Sequence, residues 1–188
     1  LDADLNLGLT ASVGANALTI AIKDSAGSDP TATSPVTLDF RSSALTTGTP
    51  SRVSHTVSAS LVISSGSTLG VPNGTPFRLW INDFNDAGTL RPGVIYCTTS
   101  TGQVASLDEA ILASSTAEGG AGGADTAGIF YTGSAVTSKA YRILGYMEWA
   151  NGLTTAGTWD AGPTKIQIYG PGVKKPGEVV QVRRSSTV

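Results

Sequence analysis

The sequence is poor in the residues that carry most enzyme and metal chemistry. Its 188 residues include one Cys, one His and one Met, and only 14% of them are charged. A single thiol cannot form an internal disulfide, and one His with one Cys provides too few of the usual ligands for zinc. The composition therefore favours a structural or binding protein without metal or cofactor over an enzyme.

The charge is small and scattered. The net charge is −2 with a pI near 5.2, and adjacent cations occur only at Lys174, Lys175 and at Arg183, Arg184. A polyanion needs a concentrated basic surface, so we expect no nucleic-acid partner. No apolar run approaches the roughly 18 residues of a membrane helix, and we expect no membrane insertion.

The length predicts a single domain, which we place at residues 1–173. The remaining residues, 174–188, are polar except for a short apolar segment at 179–182, and we expect this tail to be partly ordered. The sequence begins at Leu1 without a visible signal segment. We expect it to be a piece of a longer chain.

What the sequence does contain is alternation of period two, which places every second side chain on one face of a strand. Gly, Ser and Thr, together over a third of the chain, occupy many of the outward positions and the turns. The fold class predicted from this pattern is all-β, an antiparallel β-sandwich or jelly roll. The predicted strands cover residues 5–13, 18–22, 36–40, 53–63, 77–81, 89–97, 129–132, 140–150 and 164–170.

Two local predictions refine this outline. Ser106 and Glu109 have the spacing of a capping box, which predicts one short helix over 106–114. In the strand at 140–150, strict alternation separates two faces. One face carries Tyr141, Ile143, Gly145, Met147 and Trp149, and the other carries Arg142, Leu144, Tyr146 and Glu148.

Single residues that often mark active sites have simpler interpretations here. His55 lies within an alternating strand, as a packed histidine with one hydrogen bond would, and Cys97 at a strand end is expected to be a buried, inert thiol. The segment from Asp83 begins like a calcium loop, but Ala87 and Val94 occupy two ligand positions. A hydrolase that uses two carboxylic acids remains an alternative, although no spacing in the sequence selects a catalytic pair. The six candidate acids are Asp108, Glu109, Glu118, Asp125, Glu148 and Asp160.

Recognition is expected at connections that project from a sandwich. The first candidate is the hairpin tip at 83–88, within the connection 82–88 whose Asn, Asp and Gly residues suit a hairpin; it includes Asp83, Asn85 and Asp86. The second is the loop around Trp159 and Asp160, where Gly and Ala neighbours favour an exposed aromatic ring. These five residues are the predicted ligand-binding positions.

Several segments of the sequence resemble proteins of tailed bacteriophages and prophages. They are SLVISSGSTLG at 60–70, FRLW at 77–80, SSTAEGGA at 114–121, YRILGY at 141–146 and PTKIQIYGPG at 163–172, and the likeness runs from about residue 6 to residue 177. None of them is a chemical motif. The resemblance carries no catalytic residue to this chain.

The resemblance implies a virion protein, in particular the C-terminal, receptor-binding region of a tail fibre. Such a region commonly forms a homotrimer, joins other phage tail proteins and attaches to a bacterial surface glycan or protein. Small residues let chains approach closely in a trimer, and three copies strengthen weak binding at each site. A capsid decoration protein is the first alternative, and a polysaccharide depolymerase domain is the second.

Overall fold

A computed structural model of the protein describes residues 5–42, 48–97, 107–119 and 124–170. Within these ranges the chain forms eleven strands and no helix. The predicted tail at 174–188 and its boundary at 173 lie outside the described residues. In chain order the strands are β1 Gly8–Gly14, β2 Ala17–Lys23, β3 Val36–Phe40, β4 Ser51–His55, β5 Ala59–Ile63, β6 Phe77–Asp86, β7 Thr89–Ile95, β8 Ser115–Ala117, β9 Phe130–Thr132, β10 Ala140–Trp149 and β11 Lys165–Ile168.

The strands form a β-sandwich, as the alternation predicts. The largest sheet has six strands in the order β11-β10-β6-β7-β9-β8, and two smaller sheets are formed by β1-β2-β5 and by β3-β4. All pairs are antiparallel except β8 with β9. The two smaller sheets pack over one face of the large sheet, with β3 near β10 and β1 near β11.

The main core fills the space between these layers. In β2, the side chains of Leu18, Ile20 and Ile22 are buried, while the residues between them are only partly covered. They meet buried residues of β6 and β10 such as Leu79 and Met147 in one continuous apolar cluster. Each such burial contributes about 1.5–3 kcal/mol to folding.

The opposite face of the large sheet carries a second apolar cluster. Phe84, Tyr141 and Ile143 lie in it and are covered by residues of the connections, including Leu107 and Val136. This cover extends along part of the sheet. Toward the beginning of β6, the same face carries partly exposed residues such as Arg78 and Trp80.

The predicted strand at 53–63 is wrong as a single element. The chain leaves β4, which pairs with β3, and after residues 56–58 enters β5, which pairs with β2 in a different sheet. Val57, which the alternation would bury, is 70% exposed in this connection. Both β4 and β5 bury odd-numbered residues, so the period-two pattern continues from one strand to the next. The pattern therefore does not reveal that the chain changes its pairing partner.

The predicted helix at 106–114 is also wrong over the part that the structure describes, since residues 107–114 form a turn and a bridge. The Asp108 side chain accepts a hydrogen bond from the Ala110 amide at 2.8 Å, a local contact that competes with helix formation. Glu109 accepts hydrogen bonds from the Ile143 amide at 2.6 Å and from Arg142 at 3.0 Å. Ser106 lies outside the described residues.

The predicted connection at 82–88 is much shorter in the structure. Strand β6 continues to Asp86, and only Ala87 and Gly88 separate it from β7. Both residues have positive φ, 53° and 91°, as a tight two-residue hairpin turn requires. Asn85 supports the turn by accepting a hydrogen bond from the Gly88 amide at 2.8 Å.

Strict alternation also fails in β10. The pairing with β6 shifts between Ile143 and Gly145, as at a β-bulge. As a result, Ile143 and Tyr146 share the second apolar cluster, whereas Leu144 and Met147 lie in the main core. The bulge therefore moves Tyr146 to the face that the alternation gives to Tyr141.

Candidate functional site

Asp83, the first predicted ligand-binding residue, lies inside the sandwich rather than in a loop. It is fully buried on β6, and its Oδ2 contacts Nε2 of the equally enclosed His55 on β4. Burial, which disfavours the ionised carboxylate, raises the pKa of Asp83. The pair links β4 to β6, and His55 has the packed position expected of it.

Asn85 and Asp86 lie beside the hairpin turn, at the far end of β6. Asn85 donates a hydrogen bond to Ser51 Oγ at 3.2 Å, and Asp86 pairs with Lys139 at 3.0 Å and Arg91 at 3.5 Å. The hydrogen bond from Lys139, strengthened by both positive charges, holds the pKa of Asp86 below its usual value. These contacts support the hairpin.

Trp159 is not the exposed aromatic that its loop predicts, because its side chain is 0% exposed. Its indole N–H donates to the Ser67 carbonyl at 2.9 Å, and its ring lies edge-on to Phe77 and Trp149, with centroids 6.1 and 5.8 Å away. The loop can enter the core because Gly157 passes close to the backbone of Gly66.

The two predicted recognition segments therefore lie far apart. Trp159 contacts the first residue of β6, Phe77, whereas Asp86 is the last residue of that strand. A strand of ten residues is about 30 Å long. Asp160 is exposed next to Trp159, but the structure does not bring it to the hairpin residues.

The structure instead places a cleft of about 590 Å³ where β6 begins and where β7 and β10 end. Its size is within the range of small-ligand sites. Most of its described lining is aromatic or charged. The lining residues are Pro76, Phe77, Arg78, Trp80, Tyr96, Cys97, Glu148, Trp149 and Ala150.

Strand register creates the polar and aromatic rows of this face. Glu148 on β10 lies between Arg78 on β6 and Lys165 on β11. In the neighbouring row, Tyr146 lies between Trp80 and Gln167. Directly paired residues project on the same side of a sheet, so a row of charged groups runs beside a row with two aromatic rings.

Arg78 connects the two rows. Its Nε donates to Glu148 Oε1 at 2.9 Å, and one of its Nη atoms contacts the same oxygen. Its guanidinium carbon lies 3.9 Å from the ring centroid of Tyr146 and 5.3 Å from that of Trp80. Ionic and cation–π contacts thus fix Arg78 in one orientation while its side chain stays 40% exposed.

Further aromatic contacts hold the cleft in shape. Trp80 meets Tyr146 edge-on at 5.3 Å and lies nearly parallel to Tyr169 at 6.3 Å. On the core side, Phe77 stacks on Trp149 with centroids 4.8 Å apart. Such pairs contribute about 0.5–1.5 kcal/mol each beyond their burial, so the site is largely preformed.

Cys97 lines the cleft but has the inert environment that its sequence position predicts. It is buried, and this burial raises the pKa of its thiol to about 12. The reactive form of cysteine is the thiolate, which is therefore scarce at neutral pH.

The other acids considered for hydrolysis are engaged elsewhere. Glu118 accepts hydrogen bonds from the amide and hydroxyl of Ser64, and Asp125 accepts from those of Thr68. Asp108 and Glu109 stabilise the turn described above. Over the described ranges, no group of three or more His, Cys, Asp or Glu side chains is arranged to hold a metal ion.

Sequence reasoning missed the cleft residues because they become neighbours only through strand pairing. The alternation at 77–81 separates Arg78 and Trp80 from the buried positions, and this is the one signal that points to them. Their proximity to Glu148 and Lys165 depends on a register that the pattern does not specify.

Comparison with known proteins adds no relative: no family model, curated protein or solved structure matches the chain. In the described part of the chain, no helix has the length and apolar character needed to cross a membrane.

Proposed function

We propose that the protein is a virion component of a tailed bacteriophage or prophage, the distal receptor-binding domain of a homotrimeric tail fibre. It attaches to a glycan or protein of the bacterial surface and catalyses no reaction. The resemblance of the sequence to phage proteins and the β-sandwich fold support this proposal. The observation that carries the attachment role is the preformed cleft at one end of the sandwich.

A binding role fits the chemistry of the cleft better than catalysis does. Its charged groups, Arg78 and Glu148, are paired with each other, and its thiol is protonated at neutral pH. Attachment requires only shape, aromatic surface and hydrogen-bonding groups. With three copies in one fibre, even weak binding in each cleft gives strong attachment.

The edges of the sheets support the proposed homotrimer. Val13 on β1, Val62 on β5 and Ile166 on β11 are exposed apolar residues, and each lies on a strand at the edge of its sheet. Open edges with apolar side chains favour pairing with another chain. A second and a third copy of the protein are the partners that this proposal assigns to them.

Retention on cells tests the attachment role. Purified, fluorescently labelled protein is mixed with the bacterium that carries the phage or prophage and with its close relatives, and bound protein is measured after washing. We expect retention on at least one strain and competition by unlabelled protein. Absence of retention on every strain would contradict the receptor-binding role.

The same preparation tests the alternatives. Release of reducing sugar from the surface polysaccharide, lost in Glu148→Gln, would favour a depolymerase. Labelled antibody bound to phage heads would favour a capsid decoration protein. We expect neither result.

A further inference from the structure

Two aromatic residues offer partly exposed rings to the cleft. Trp80 and Tyr96 are half-buried and line it from neighbouring strands, β6 and the end of β7. Protein contacts hold both rings in place. Trp80 lies nearly parallel to Tyr169 and edge-on to Tyr146, and Tyr96 lies edge-on to Phe77, each pair with centroids 5.3 to 6.3 Å apart. A rigid ring that stays partly exposed is a platform for a flat, partly apolar ligand.

Hydrogen-bonding groups stand beside this platform. Both contacts of Arg78 fall on Oε1 of Glu148, and among the described residues Glu148 Oε2 has no hydrogen-bond partner. Arg78 likewise retains N–H groups directed away from Glu148, because a guanidinium has five donors. The cleft thus presents an acceptor and donors next to an aromatic ring.

The charges select among ligand classes. Among the lining residues the charges of Glu148 and Arg78 cancel, and Lys165, the partner of Glu148 on β11, does not line the cleft. An anionic ligand such as a phosphate would therefore meet the Glu148 carboxylate inside the cleft. A ligand with neighbouring hydroxyls can donate to Glu148 and accept from Arg78, and its C–H face can lie on Trp80. Neutral carbohydrates have this combination of apolar face and polar edge.

We infer that the cleft binds a neutral saccharide, with one sugar ring against Trp80 and its hydroxyls hydrogen bonded to Arg78 and Glu148. This inference rests on the proposed attachment function and names the chemical class of its receptor. Trp149 lines the cleft and stacks on Phe77, whereas Trp159 is buried edge-on to both rings.

Titration with short neutral oligosaccharides tests the inference. The probes are built from glucose, galactose and N-acetylglucosamine, and binding is followed by saturation-transfer NMR and tryptophan fluorescence. We expect at least one probe to bind the wild-type protein. Trp80→Ala, Arg78→Met and Glu148→Gln are each expected to weaken that binding by about tenfold or more. The first two remove a direct ligand contact, and Glu148→Gln replaces a charged acceptor by a weaker, neutral one.

Arg52→Met is the matched control. Arg52 forms an exposed, two-point ion pair with Asp39 across β3 and β4, at 2.7 and 2.8 Å, outside the cleft. This variant is expected to bind the probe within about twofold of the wild type. Thermal melts establish that the variants fold, and if Trp80→Ala does not, the two ionic variants carry the test.

The outcomes separate the inference from the proposed function. Retention on cells without binding of any probe, or probe binding unchanged in all folded cleft variants, would overturn the saccharide inference while the attachment role stands. Probe binding that the cleft variants weaken, without retention on cells, would support the cleft and contradict the attachment role.

Discussion

The surroundings of individual residues decide their roles in this protein more than their types do. Asp83 and Asp86 are three positions apart on one strand, yet one is sealed in the core with His55 and the other pairs with surface cations. Likewise, Trp80 lines the cleft, whereas Trp159 is buried in the core. None of these differences follows from composition.

Asp83 makes the stability of the protein dependent on pH. Burial raises its pKa above the value of about 3.9 in an unfolded chain, so the folded state holds the proton more strongly. The contribution of Asp83 to the free energy of unfolding therefore falls as pH increases from about 4 to the pKa of the folded state. Urea denaturation from pH 3 to 8 measures the free energy of unfolding at each pH. In Asp83→Asn this free energy is expected to fall less with increasing pH than in the wild type.

The neighbours of Asp83 enter the same comparison. His55 contacts it from β4, and Arg142 is its direct partner on β10. His55→Gln removes the imidazole that contacts the Asp83 carboxyl and serves as the second variant in the comparison. An identical pH profile in wild type and Asp83→Asn would show that the carboxyl does not titrate differently in the folded state.

Trp159 is expected to be a main source of stability. Trp159→Ala would remove a fully buried ring and its hydrogen bond to Ser67, at a cost of about 3–5 kcal/mol in the free energy of unfolding. Trp159→Phe keeps an aromatic ring and is expected to cost less. Chemical denaturation measures both, and a loss below about 1 kcal/mol in Trp159→Ala would contradict the burial.

At the scale of elements, alternation in the sequence predicts most strands and the β-sandwich, because burial on one face imposes period two. It does not predict where a strand changes partner or contains a bulge. At 53–63 the same alternation continues into another sheet, and at Leu144 one extra residue reverses the faces of β10. The helix predicted at 106–114 is not formed in the described part, because Glu109 accepts hydrogen bonds from Arg142 and Ile143 of β10 instead of capping a helix.

Gly145 is required where β10 meets β11. A Cβ atom there would overlap the carbonyl group of Gln167. Gly145→Ala is therefore expected to lower the free energy of unfolding by about 1–3 kcal/mol and to displace β11, which carries Lys165 beside Glu148. Thermal and urea denaturation measure the loss.

Gly14→Ala is the control, because a Cβ at Gly14 has no neighbour within 4 Å. We expect this variant to change stability by less than about 0.5 kcal/mol. Equal stability of the two variants would contradict the close approach of β10 and β11.

At the scale of the whole molecule, the sandwich creates two surfaces that sequence patterns do not show. The cleft combines residues from β6, the end of β7 and β10, so it exists only when the strands are in register. The exposed apolar residues Val13, Val62 and Ile166 indicate an association surface only because the fold places them on strands at sheet edges. The candidate site could therefore not be derived from the sequence, although each of its residue types is visible there.

The proposed trimer makes the edge strand β5 sensitive to charge. Val62→Lys would place a cation on this exposed edge and is expected to raise the dissociation constant of the oligomer by about tenfold or more. Val57→Lys, in the exposed connection between β4 and β5, is expected to leave it unchanged. Sedimentation equilibrium measures both.

A wild-type protein that is monomeric at micromolar concentration would contradict the trimer. Equal weakening by both substitutions would show that β5 has no special role in association.

The position of the protein on the virion tests the tail-fibre proposal most directly. Particles released from the host are incubated with a gold-labelled antibody against residues 5–170 and viewed by electron microscopy. We expect gold at the distal ends of tail fibres and reduced adsorption of antibody-treated particles. Gold confined to heads, or particles without label, would contradict the claim that this protein is the receptor-binding end of a tail fibre.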